Sequence, residues 1–110
     1  MAYKVFITSY AMKQLERYIE YTVHELKNKY AAREIISDAE RTKKRLEIVA
    51  NNLPLCENEM LARYGYRKIF LKKHRFFMVY RIDNGSVIVE AMYHELQDYE
   101  AIFSNKMNLK

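Results

Sequence analysis

A chain of 110 residues with only two Gly and one Pro suits a single domain of regular elements and excludes long disordered stretches. Nineteen Lys and Arg against fourteen Asp and Glu leave a net charge of +5, which favours an acidic or nucleic-acid partner through long-range attraction. The apolar runs fall far short of the ~20 residues needed to cross a bilayer, and Met1 to Tyr10 lacks the apolar stretch of a signal peptide, so the cytoplasm is the expected location.

A single cysteine, Cys56, cannot form an internal disulfide, and no Cys or His stands near it at metal-ligand spacing. Cys56 is therefore expected to be an inert small side chain, and neither a metal nor a cofactor is expected.

In chain order, Tyr3 to Ile7 reads as a short strand, followed by Thr8 and Ser9, whose hydroxyls can cap a helix. From Tyr10 to Lys27, the spacing of Met12, Leu15, Ile19, Val23 and Leu26 predicts an amphipathic helix. Asn28 to Tyr30 interrupts it. A second series, Ala32, Ile35, Ile36, Ala39, Leu46, Val49 and Ala50, predicts a helix that packs antiparallel to the first. The charges between those positions mix both signs and suit a solvated outer face.

Asn51 to Gly65, with Pro54, reads as a loop. Beyond it, the runs Arg67 to Leu71, Arg75 to Ile82 and Ser86 to Met92 alternate, and Asn84-Gly85 is a strong hairpin signal because both residues tolerate positive φ. Three antiparallel strands are expected, and then a short helix over His94 to Phe103. The resulting fold class is α+β, a helical hairpin packed on one face of an antiparallel sheet in the order β-α-α-β-β-β-α. Residues 1–103 form the domain, and 104–110 are expected to be a flexible tail.

Alternation puts Phe76, Met78, Tyr80 and Ile82 in the core and leaves Arg75, Phe77, Val79 and Arg81 on a face that the helices do not cover. Arg67, Lys68, Lys72, Lys73 and His74 crowd the same two strands. Cations neutralise phosphate and aromatic rings stack on bases, so an open face of this kind suits nucleic acid. The same Lys and Arg also serve to protect a sheet edge from aggregation, an alternative that the pattern leaves open.

The order of elements, the block Gly65 to Asp83 ("GYRKIFLKKHRFFMVYRID") and the segment Tyr93 to Phe103 ("YHELQDYEAIF") resemble the RelE/ParE toxin superfamily over almost the whole chain. The resemblance implies the toxin of a type II toxin–antitoxin system, of the plasmid-stabilisation and growth-arrest kind, neutralised by a cognate acidic antitoxin. One branch of that superfamily cuts messenger RNA on the ribosome. The ParE-like branch acts on DNA gyrase without nuclease residues. Arg67 matches the basic residue that opens the meander, Arg75 and Tyr80-Arg81 match its strand, and Tyr93-His94, Asp98 and Tyr99 match the terminal segment. Gln97 replaces the Arg usual before that Asp, and Glu95 replaces the usual Gly.

A ribosome-dependent mRNA endonuclease is the first expectation, working by attack of a ribose 2′-hydroxyl on its neighbouring phosphate, which needs proton transfer and a cation at the developing charge. His94 and His74 are the candidate proton carriers, with Glu95 as another, and Arg75 and Arg81 are the candidate charge stabilisers. Arg67, Lys68, Lys72, Lys73, Tyr93 and Tyr99 would bind substrate. Each has a structural alternative: His94 as a cap, Tyr99 in the core, Arg81 paired with Glu90 across the hairpin, and Lys72 and Lys73 as turn residues. Function is preferred for Arg75 and His94, and structure for Tyr99. A gyrase inhibitor without nuclease activity and an inactive antitoxin-binding relative are the alternative functions.

Overall fold

The computed structural model describes residues 2–109. β1 (Lys4–Ile7) leads into α1 (Ser9–His24), whose first turn is closed by Thr8 Oγ1 accepting the Ala11 N–H at 3.1 Å. α2 (Lys29–Val49) is capped in the same way by Asn28, which accepts the Ala31 N–H at 2.9 Å. After one 3-10 turn (Ala50–Asn52), the loop contains a short helix, α3 (Glu59–Arg63), capped by Asn58. Then come β2 (Arg67–Phe70), β3 (Phe76–Asp83), β4 (Ser86–His94) and α4 (Tyr99–Met107).

The expected α+β class and element order hold, with α3 as an addition inside the loop. The four strands lie in the order β1-β4-β3-β2. The three meander strands are antiparallel, and β1 joins the edge parallel to β4, making the sheet mixed. Asn84 and Gly85 have φ of 48° and 84°, the conformation a two-residue hairpin requires.

α1 and α2 cover one face of the sheet, where Met78, Tyr80, Val87, Val89 and Met92 pack with Ala39 and Leu46. The buried face of α1 is turned from the expected one. Ala11 and Thr22 are buried and Leu15 and Tyr18 pack on the core, while Met12 and Leu26 stay 40% and 58% exposed. Small and hydroxyl-bearing residues let α1 approach closely, which hydrophobic periodicity alone does not register.

The other face is not open. Phe77, Val79, Ala91 and Tyr93 form a second core there with Cys56, Leu61, Tyr66 and Phe103, roofed by α3, its flanking loop and α4. The physical reason lies in the strands themselves. β3 reads Phe-Phe-Met-Val-Tyr and β4 reads Val-Ile-Val-Glu-Ala-Met-Tyr, near-continuous apolar runs of the kind buried on both faces. The segment expected as a tail extends the helix to Met107, and both Met107 and Leu109 pack on this second core. Lys110 lies outside the described residues.

Candidate functional site

The turn between β2 and β3 is built around one carboxylate. Asp38 lies on the inner face of α2 with a side chain 1% exposed, and it accepts the backbone N–H groups of Lys72 at 3.3 Å and Lys73 at 2.9 Å. It also meets His74 Nδ1 at 2.8 Å. Burial would raise the Asp38 carboxyl, but the bonds from His74 and the two backbone amides outweigh it and hold the group below the usual carboxylate range. Lys72 and Lys73 are thus turn residues through their backbones, with side chains free on the surface.

Arg75 follows that turn with its side chain 72% exposed, its Nε 3.2 Å from Glu95. His94 pairs with Phe76 across the strands, its ring edge-on to Phe76 at 5.1 Å. Its Nδ1 accepts the Leu96 N–H at 3.1 Å, so the neutral ring carries its proton on Nε2. Gln97 Oε1 accepts the Tyr18 hydroxyl at 2.6 Å and the His94 N–H at 2.8 Å, tying the end of β4 to α1. Burial pushes the Tyr18 hydroxyl above its ordinary value.

These groups rim a groove of about 770 Å³ between the α1–α2 tip and the β2–β3 turn. Arg17, Lys73, His74, Arg75 and His94 supply its polar edge, and Tyr18, Tyr21, Ile35 and Phe76 belong to its apolar floor. Arg75 and His94 therefore share a surface, but it is on the side of the helical hairpin and not on the reverse face where the alternation placed Arg75.

The other expected site residues sit elsewhere. Arg81 Nε is 2.9 Å from Glu90 and its Nη1 is 3.6 Å from Asp83, and the bond to Glu90 raises the guanidinium further above its already high range. Arg67 donates to the Leu53 carbonyl and clamps the loop before α3. Lys68 Nζ lies over the rings of Phe70, Phe77 and Tyr99 at 5.4, 5.1 and 4.7 Å.

Tyr99 packs edge-on to Phe77 at 5.0 Å on the second core, and Tyr93, expected at substrate, is fully buried. Burial pushes both phenols upward. Cys56 is buried against Tyr99, and burial lifts its thiol away from the reactive thiolate. His24 stays exposed at the end of α1.

Asp38, Arg17 and Tyr18 are not among the residues that the sequence pointed to, and Gln97 stood out only as a departure from the family pattern. Asp38 alone carried a signal, since an acidic residue between Ile35, Ala39 and Thr42 on the buried stripe of a helix must have partners. Among the described residues no group of three or more His, Cys, Asp or Glu side chains is placed to hold a metal ion. Among the described residues no helix is long and apolar enough to cross a membrane.

A family model described as "ParE toxin of type II toxin-antitoxin system, parDE" matches residues 5–99. Among solved structures, the chain is similar to one titled "Chromosomal ParDE TA system from P. aeruginosa", at 19% identity over 84% of this chain and 96% of that one, with a TM-score of 0.70. At that identity the likeness establishes the fold. Among curated proteins none matches significantly.

Proposed function

The chain belongs to the ParE toxin family of type II toxin–antitoxin systems, and from that premise we propose that it is a cytoplasmic growth-arresting toxin that binds DNA gyrase and needs no nuclease chemistry. A cognate antitoxin is its partner, and the +5 net charge favours an acidic one.

One observation carries this reading: the residues expected to serve RNA cleavage are only partly brought together, with Arg81, Lys68 and Tyr99 held apart from His74, Arg75 and His94. His74, Arg75 and His94 rim the groove beside α1 and α2. Arg81 is held by Glu90, while Lys68 and Tyr99 lie together on the α4 side. The candidate proton carriers His74 and His94 are thereby separated from Arg81 and from Lys68 and Tyr99, whereas a nuclease needs its acid–base, charge-stabilising and RNA-holding groups at one reacting phosphate.

The test uses induced cells and purified gyrase. The expected outcome is inhibited supercoiling, full-length transcripts and relief by the antitoxin, unchanged in His94→Ala. Truncated transcripts with unaffected gyrase would overturn it.

A second reading keeps RNA cleavage, on the observation that Arg75 and His94 do lie on one groove. It predicts that Arg75→Ala and His94→Ala each abolish transcript cutting. A wild type without effect on growth, transcripts or gyrase would leave an inactive antitoxin-binding relative.

A further inference from the structure

The groove beside the helical hairpin joins a basic edge to an aromatic floor. At about 770 Å³ it lies within the range of ligand sites, roughly 300–1,000 Å³. Its residues include two arginines, a lysine and two histidines but no Asp or Glu. Two carboxylates beside it are engaged, Asp38 buried under His74 and the turn amides and Glu95 bonded to Arg75, while Glu20 and Glu25 share a smaller hollow with Arg17 and Tyr21. Among the described residues Arg17 and Lys73 make no ion pair, and a rim with unpaired cations attracts an anion.

The floor narrows the class. Tyr18, Phe76 and His94 form a continuous series of rings, with centroids 4.6 Å apart for Tyr18 and Phe76 and 5.1 Å for Phe76 and His94. Tyr21 stands beside them, 57% exposed. Flat rings offer stacking surface to bases, whereas an acidic amphipathic peptide asks mainly for aliphatic sockets, which here are limited to Leu26, Ala31 and Ile35.

We propose that this groove binds single-stranded nucleic acid, with bases stacked on Tyr21 and its neighbouring rings and phosphates held by Arg17, Lys73 and Arg75. The binding is separate from any cleavage, and it does not rest on the gyrase reading, which its own supercoiling assay decides.

The experiment measures fluorescence anisotropy of labelled oligothymidylate and oligouridylate with the purified toxin across a salt series. Three phosphate contacts give a slope of log affinity against log salt of about −2. Tyr21→Ala weakens binding about five- to tenfold and leaves that slope unchanged, because it removes stacking and no charge. Arg17→Gln flattens the slope by about 0.7. Both side chains lie on the exposed surface of α1, so the variants keep their fold, which circular dichroism checks.

Better binding of oligouridylate than oligothymidylate identifies RNA as the ligand, and equal binding identifies any single strand. Absence of binding at low salt would overturn the proposal. So would binding that neither variant alters, or an acidic leucine-containing peptide that binds more tightly and is lost in the same two variants.

Discussion

At the scale of single residues, Asp38 is the position on which most local geometry depends. Its carboxylate joins α2 to a turn that would otherwise have free amides and a loose imidazole. Replacing it with Asn removes an acceptor and turns an amide N–H toward donors, so Asp38→Asn should destabilise the fold by about 2–3 kcal/mol at neutral pH, measured by urea unfolding. Because the folded-state pKa is depressed, this contribution is present above the unfolded value and is lost as pH falls through the folded one. Wild type and variant should therefore converge in stability in strong acid. A gap that persists there would show that the charge is not what matters.

Tyr93 gives the opposite expectation. Its hydroxyl is buried beside Tyr10 and Gln14 without a hydrogen bond of good geometry. Tyr93→Phe should consequently be neutral or raise stability by up to about 1 kcal/mol, as unpartnered buried polar groups are costly. A loss of stability would reveal a bonded hydroxyl.

Among the elements, α4 matters most for what the surface can be. Phe103 is fully buried between Tyr66 and Tyr93, with ring centroids at 4.8 and 6.5 Å. Phe103→Ala should cost about 3–5 kcal/mol, and the cavity should release the helix from the sheet, visible as faster amide exchange along α4. The β3–β4 hairpin offers a finer test. A register shift at Val79/Tyr80 leaves Glu90 without a Cα partner, and its carboxylate meets Arg81. Arg81 is partly exposed, so solvent screening limits the pair to about 0.5–1 kcal/mol of coupling in a double-mutant cycle with Arg81→Ala and Glu90→Ala. A larger coupling together with lost toxicity at unchanged stability would return Arg81 to the site.

For the whole molecule, a single sheet divides two cores. The hairpin side keeps an open groove, whereas the α4 side is filled. Large apolar side chains remain uncovered around the outside, with Tyr30, Ile48 and Leu96 each at least 70% exposed. A toxin with such a surface should gain stability from its antitoxin by mass action, with a thermal midpoint that rises with antitoxin concentration. A midpoint indifferent to antitoxin would show that the exposed surface is not where the partner sits.

Sequence alone determined the α+β class, the order of elements, the Asn84-Gly85 hairpin and the likeness of the meander and terminal segment to the RelE/ParE superfamily, because these depend on local propensity, turn chemistry and short-range spacing. Tertiary structure decided which cations are free. Alternation assigns a residue to a side of a strand, but it cannot say what lies on that side, and α4 reaches the reverse face only because Phe77, Val79 and Tyr93 give it an apolar bed. The partners of Asp38 lie 34 to 36 residues away in the chain, and Tyr18 lies 79 from Gln97. Contacts at such separations are set by how the helices dock on the sheet, for which no local pattern exists.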